Sequence, residues 1–338
     1  MKLNSITPQN KGVQCINLKV DEFYQLFVDA DKKKLKDDVK IERACPVCST
    51  TQKNKIFTKN GLDYCQCSRC RMVYITPYIK EKLRLDWYAT SKGYGYFWKE
   101  IVHQNRDARI EQIWIPRIKK LKDLKCSFDN VLDVGCGSGE FIDMMLKSGV
   151  KKIVGVEPNS SAYEISQKYI KGFVKQGSLQ DMTFDNGQCS LITMWEVFHH
   201  FDEPLDTLKR LYKLLKKGGK LILQSPNFDG FDYRVLGQCH HDVTFEIPNY
   251  FSPETMRAIL TAAGFVRDDI SITTPGKLDV QYVLSGLELH GDKIDGGAFF
   301  KVFKDKIAQG DEKLKDDLQQ LLVNHQLSGS MYVVAVKG

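Results

Sequence analysis

The sequence predicts an α/β protein built on a doubly wound, mainly parallel sheet, with a small cysteine-bearing module ahead of it. Three observations carry that prediction. From about residue 130 to 274, short apolar runs alternate with helix-compatible segments, the pattern of strands joined by crossover helices. A glycine-rich turn follows the first run, in NVLDVGCGSGEF at 130–141. Two Cys-x-x-Cys pairs, CPVC at 45–48 and CSRC at 67–70, lie upstream.

Residues 1–40 are polar, with one amphipathic patch, DEFYQLFVDA at 21–30, predicted as a helix. Residues 41–78 read as short strands and turns around the cysteines. Residues 79–125 hold the aromatic stretch LDWYATSKGYGYFW and a helical pattern ending in WIPRIKKLKDL, read as a helical lid or linker. Residues 126–338 form the main domain with a C-terminal extension. Its predicted strands are 130–134, 152–156, 190–195 and 220–224, and MYVVAVKG at 331–338 reads as one more, antiparallel at the sheet.

The 338 residues suffice for one large domain and an appendage. No apolar run approaches the ~18–20 residues of a membrane-spanning helix. The start, MKLNSITPQNKGVQC, lacks the apolar centre of a secretory signal. A cytoplasmic protein is expected, with the six cysteines outside the pairs as free thiols. The formal charge is +7, but the lysines read as spread along the chain. The densest run, DKKKLKDDVK at 31–40, carries acids beside its lysines and reads as a solvated face. This argues against a nucleic-acid partner.

Gly135, Gly137 and Gly139 follow a strand in the order G-x-G-x-G. Glycines let the chain turn sharply and let a ligand approach the backbone. A dinucleotide loop would spell G-x-G-x-x-G and set a helix N-terminus on a pyrophosphate. Here Glu140 stands in place of the last glycine, and Asp133 precedes the turn. Two carboxylates repel a pyrophosphate and suit a cationic ligand. S-adenosylmethionine, with a sulfonium and an ammonium and no phosphate, is such a ligand. VGVEPN places Glu157 after the second strand, where a carboxylate can accept both ribose hydroxyls.

DVGCGSGEF, GVEPN, WEVFHHFDEPLDTL and LLKKGGKLILQSPN, in that order over about 128–226, resemble the successive motifs of class I S-adenosylmethionine-dependent methyltransferases. The resemblance implies a seven-stranded, Rossmann-like sheet. It implies that Asp133, Gly135, Gly137 and Gly139 face the methionine end of the cofactor and that Glu157 takes the ribose. Ser178 and Leu179 would lie against the adenine, with Asp181 the nearest acid. Trp195, ending the fourth strand, would also touch the cofactor. Tyr88, Tyr94, Tyr96, Phe97 and Trp98 read as a lid over it.

The two cysteine pairs are separated by 18 residues. Cys45, Cys48, Cys67 and Cys70 can close tetrahedrally on one Zn2+. With all four positions filled by protein the site is structural, and it can support a module too small for its own core. Cys65 is a spare thiol or a substitute ligand. A zinc ribbon ahead of this domain resembles two groups: bacterial sugar and glycan methyltransferases, and ribosomal RNA methyltransferases with a small zinc module.

In WEVFHHF, the resemblance sets Glu196, His199 and His200 where substrate meets the methyl group. His200 aligns with a histidine of sugar C-methyltransferases, and histidine is the natural base near neutral pH. GQCHHDVTFEIPNYFSPETMRAILTAAGF at 237–265 also resembles the sugar group. Glu246, Tyr250, Phe251 and Ser252 match, while Ile247 replaces a histidine, which favours O-methyl over C-methyl transfer. His240 and His241 offer an alternative base. There is no base-pinching motif after the fourth strand and no dense basic face beside aromatics. The expected function is therefore methyl transfer to a small-molecule acceptor, a nucleotide-linked sugar or related precursor of surface polysaccharide. RNA methyl transfer and non-catalytic binding of S-adenosylmethionine are the alternatives, and oligomeric state is left open.

Overall fold

Helix α1 (Pro8–Phe27) opens the chain and runs well ahead of the amphipathic patch predicted at 21–30. The computed structural model describes residues 8–31, 33–276, 279–290, 305–306 and 312–338. After α1 come three short antiparallel strands around the cysteines: β1 (Lys53–Lys59), β2 (Leu62–Cys67) and β3 (Val73–Ile75). Residues 81–123 are almost wholly helical, from α2 (Glu81–Thr90) to α3 (Ile115–Asp123), where Pro116 occupies the first turn and needs no amide partner.

The main sheet is then laid down as β4 (Val131–Val134), α4 (Glu140–Lys147), β5 (Ile153–Glu157), α5 (Ser160–Tyr169), β6 (Val174–Gln176), β7 (Cys189–Trp195), α6 (Pro204–Leu214) and β8 (Leu215–Pro226). β9 (Asn249–Tyr250) and α7 (Pro253–Ala262) follow, then β10 (Ile270–Thr273) and β11 (Ser330–Val336). The seven-stranded order is β6-β5-β4-β7-β8-β11-β10. β11 alone runs antiparallel to its neighbours, as the tail pattern predicts.

Every residue of β4 and β7 is buried, which is why these central strands read as unbroken apolar runs. β6 and β10 carry no such run. Only Val174 is buried in β6, and β10 alternates buried and exposed. Both lie at sheet edges, and the sequence pattern does not locate them. Strand order reverses between β4 and β7, and the crevice at their carboxyl ends is where such sheets bind ligands.

The cysteine module is welded to this sheet. β9 pairs with β3, Asn249 opposite Tyr74 and Tyr250 opposite Val73, so a segment from beyond β8 completes a four-stranded sheet with the module. Cys45, Val47, Cys67, Met72 and Tyr74 share one buried core with Leu132, Met194, Phe198 and Phe251. α1 seals the other side, Phe23 stacking on Phe245 with ring centroids 4.1 Å apart. Phe23 is fully buried, and Phe23→Ala should cost about 3–5 kcal/mol. Among the described residues no helix is long and apolar enough to cross a membrane.

Candidate active site

A cavity of about 1270 Å³ opens at the carboxyl ends of β4, β5 and β7, with Tyr88, Tyr94, Phe97 and Trp98 in its wall. Its floor is the loop after β4. Gly135, Gly137 and Gly139 have φ of +68°, +54° and +77°, where a side chain costs roughly 1–2 kcal/mol. A Cβ on Gly135 would stand 2.5 Å from Val197 Cγ2, and one on Gly137 2.5 Å from the Trp98 ring. Gly139 is different. A Cβ there would strike Ile170, so this glycine serves the packing of loop on helix. Gly135 is in the cavity wall, while Gly137 lies under the Trp98 indole.

Glu157 ties the loop to the end of β5. The Gly137 and Asn159 amides donate to its two carboxylate oxygens at 2.9 and 2.8 Å, and the Tyr88 hydroxyl donates at 3.3 Å. Burial outweighs these bonds and pushes the carboxyl up to about 7. Asp133 lies beneath the wall formed by Val134 and Gly135. Burial raises it too, to about 7, against the pull of the Thr193 hydroxyl, which donates to Oδ1 at 2.6 Å, and of Arg117. Its Oδ2 has no partner among the described residues. A buried carboxylate with a free oxygen, under a loop that only glycine can form, fits the ammonium end of S-adenosylmethionine.

Glu140 does not face the ligand as expected. Arg109 Nε and Nη2 each donate to it at 3.1 Å and Trp114 Nε1 at 3.0 Å, so its charge is matched behind the loop. Asp133 is left as the acid that disfavours a pyrophosphate. Ser178 and Leu179 are in the cavity wall. Asp181 is not. Its Oδ2 accepts from the Ser178 hydroxyl at 2.6 Å and the Ser178 amide at 3.0 Å, closing a helical cap rather than meeting an adenine.

Trp195 and Glu196 line the cavity where β7 ends. Glu196 holds a left-handed φ of +58°, and burial lifts its carboxyl to about 7 despite Arg117. The Arg117 guanidinium lies 4.8 and 4.7 Å from the Trp114 and Trp195 ring centroids and donates to Gln224 Oε1 at 2.8 Å. Burial pulls it down to about 10, so it stays charged at neutral pH. Sequence reasoning missed Arg117, because nothing in IPRIKKLKD distinguishes it from the lysines around it.

The four histidines named from sequence separate by their bonds. His200 lines the cavity, and its Nδ1 lies 2.8 Å from the Glu246 carbonyl. A carbonyl only accepts, so Nδ1 carries the proton and Nε2 is left with a lone pair. Burial keeps the ring below its usual pKa, against the Glu246 carbonyl, so it is neutral and basic at pH 7. His199 is buried with Nδ1 3.3 Å from Ser225 Oγ, and burial holds it well below the usual range. His240 has both nitrogens engaged: Nδ1 accepts from the Asp242 amide at 3.0 Å and Nε2 faces Asp232 at 3.1 Å. His241 is half exposed beside Asp242, and burial still lowers it. Glu246 is in the wall but is not a free base. Its Oε1 accepts from Lys19 Nζ at 2.8 Å and from the Tyr94 hydroxyl.

The thiols of Cys45, Cys48, Cys67 and Cys70 all lie within 4.8 Å of one another, while Cys65 stands outside the cluster with its thiol toward the Thr76 carbonyl. The Arg69 and Cys70 amides each approach Cys67 Sγ at 3.4 Å. Burial raises the Cys67 thiol, but these amides and the neighbouring thiols outweigh it and bring it to about 7. Four thiols so placed, two of them buried, form a donor set that suits tetrahedral zinc.

Residues 102–268 match a family model described as a methyltransferase domain. A methyltransferase solved in complex with the Haloferax volcanii Trm112 methyltransferase activator shares the fold, at 15% identity and a TM-score of 0.50, over 72% of this chain and 96% of that one. Sheet order, glycine loop and family match together define a class I S-adenosylmethionine-dependent methyltransferase domain. Residues 102–268 are thus a methyltransferase domain.

Among curated proteins, the tRNA U34 carboxymethyltransferase of Pseudomonas fluorescens is 29% identical over 185 residues, 51% of this chain and 57% of that protein. The enzyme of the same name from Alteromonas mediterranea is 31% identical over 157 residues, 42% of this chain and 45% of that protein. The chain thus spans about half the length of these relatives.

These relatives overturn the expected sugar or glycan-precursor acceptor and the argument against nucleic acid. The structure supplies physical reasons. Tyr250, Phe251 and Ser252, matched from sequence to a sugar-handling segment, serve the fold. The Tyr250 hydroxyl is bonded to the Asp242 and Thr244 carbonyls at 3.2 and 3.1 Å, Phe251 is buried, and Ser252 caps α7. The charge is also not evenly spread. Residues 31–82 hold 13 lysines and arginines against 6 acids, an excess of +7 equal to that of the whole chain, and the other residues carry 36 of each sign.

Proposed function

We propose that this enzyme transfers the methyl group to RNA, with a tRNA as the acceptor. One observation carries the reading: the cysteine module and its flanks, residues 31–82, carry a net charge of +7, which suits a polyanion. The tRNA-modifying names of the curated relatives support it. Arg69 and Arg71, exposed on the second cysteine knuckle, make no ion pair among the described residues and are free to meet phosphates.

S-adenosylmethionine, when bound, supplies an electrophilic methyl group on sulfur. The residues of this chain would do the rest. Glu157 would take the ribose hydroxyls, with Ser178 and Leu179 beside the adenine. The loop of Gly135 and Gly137, with Asp133 beneath, would hold the ammonium, and Arg117 would hold the carboxylate. Trp195 and Trp98 would keep water from the sulfur. His200 Nε2 would accept the proton leaving the acceptor, and alignment would do most of the catalysis. The cysteines would hold one structural zinc.

Fluorescence anisotropy with unmodified tRNA over a salt series tests the reading. Affinity should fall steeply with salt, and an Arg69→Ala/Arg71→Ala variant should bind about tenfold or more weakly with a salt slope shallower by about two. A wild-type chain that binds no RNA contradicts the acceptor class.

A further inference from the structure

We propose that the four-cysteine module positions His200 through Asn249, so that the module governs proton removal as well as holding the fold. The inference rests on the reading of His200 as the base, and it holds for any acceptor.

Asn249 is buried, and its carboxamide is fully bonded. Nδ2 donates to the His199 carbonyl at 3.2 Å and to the Phe201 carbonyl at 2.6 Å, the two carbonyls flanking His200. Oδ1 accepts from Arg43 Nη2 at 2.9 Å. The orientation of the amide follows, because carbonyls only accept and a guanidinium only donates. Arg43 Nη2 also donates to the Asp202 carbonyl at 2.9 Å, so one guanidinium grips both Asn249 and the turn after His200. The ring is held from the same segment, by the Glu246 carbonyl. Backbone and imidazole of His200 are thus both fixed by residues 246–249.

That segment belongs to the module. β9 is the fourth strand of the module's sheet, and the Ile75 amide donates to the Pro248 carbonyl at 3.0 Å. Arg43 stands two residues before Cys45, and its amide donates to Thr76 Oγ1 at 2.9 Å. Cys45 and Cys67 lie in the same buried core as Phe198 and Phe251, whose rings stack at 5.1 Å. A metal that fixes the two knuckles fixes this chain of contacts, and the last link is the base. None of the hydrogen bonds in this chain, from Arg43 through Asn249 to the carbonyls beside His200, involves the glycine loop or Glu157, so cofactor affinity is the control.

The test is made on the full chain, zinc-loaded and labelled with nitrogen-15 in the histidine rings, with His200 assigned by its loss in His200→Gln. The groups facing the ring are Glu246 with its Lys19 and Tyr94 partners, His199, and Arg84 paired to Asp202. Wild type should show a protonated Nδ1 and a bare Nε2. Asn249→Asp keeps the acceptor for Arg43 and loses both donors. It should replace that signature with an average of tautomers and lower kcat about 100-fold, with S-adenosylmethionine affinity retained. Arg43→Lys, which removes the fork and keeps the charge, is the milder second variant and should move the same signal in part. Zinc removal should act as Asn249→Asp does. An unchanged His200 signature in the folded variants overturns the proposal, and so does a parallel loss of cofactor affinity. Full turnover in His200→Gln overturns the base reading alone, because the ring signature is read without turnover.

Discussion

Asp133 and Glu157 could be singled out in the sequence because each is an acid at the carboxyl end of an apolar strand, the first immediately before the glycine turn. Arg117 and Asn249 could not, because the partners that fix them, Trp195 and Gln224 for the one and Arg43, His199 and Phe201 for the other, are dozens of residues away and no spacing announces them. Gly137→Asp should abolish cofactor binding in a calorimetric titration, since a side chain at φ +54° also meets Trp98 at 2.5 Å. The pH dependence follows from burial. Asp133 and Glu157, each raised to about 7, are neutral acids below that pH. A cationic ligand favours their charged forms, so binding releases protons. Affinity for S-adenosylmethionine should therefore weaken as pH falls from 8 to 6, by up to about tenfold per unit per group. Titrations at pH 8, 7 and 6 check this, and a flat profile would mean that neither carboxyl charges on binding.

Among elements, those with a continuous pattern were the ones the sequence placed. β4, β5, β7, β8 and β11 were found because each is largely buried, and β6 and β10 were missed because an edge strand buries one face or a single residue. The weld of β9 to β3 was beyond reach for another reason. Two residues pairing with a strand more than 170 positions earlier leave no local trace. The cysteine knuckles were legible because tight turns and thiolate ligands demand that spacing. The purified chain should hold one zinc, read by metal analysis. Stripping the metal should lower Tm by about 3–4 °C, the shift about 2–3 kcal/mol makes in a chain of this size. A metal-free chain of unchanged Tm would make the cysteines ordinary packing.

At the scale of the whole molecule, the sign of the net charge mattered less than its location. Counted over the chain, +7 is unremarked; counted by segment, residues 31–82 carry +7 and 83–125 a further +5, offset by −5 over 126–338. That partition could have been read from the sequence, and it was obscured by the acids at 37 and 38 inside the densest lysine run. It sets a basic N-terminal part against a main domain that is acidic, with 23 lysines and arginines and 28 acids over 126–338, an arrangement that suits gripping a polyanion away from the sheet. The direct measurement is transfer itself. Zinc-loaded chain, S-adenosylmethionine labelled on its methyl group, and either unmodified tRNA or a pool of nucleotide-linked sugars are incubated separately, and the label is counted. The account predicts label in tRNA that nuclease digestion releases as a modified nucleoside. Label in the sugars and none in the RNA would contradict it.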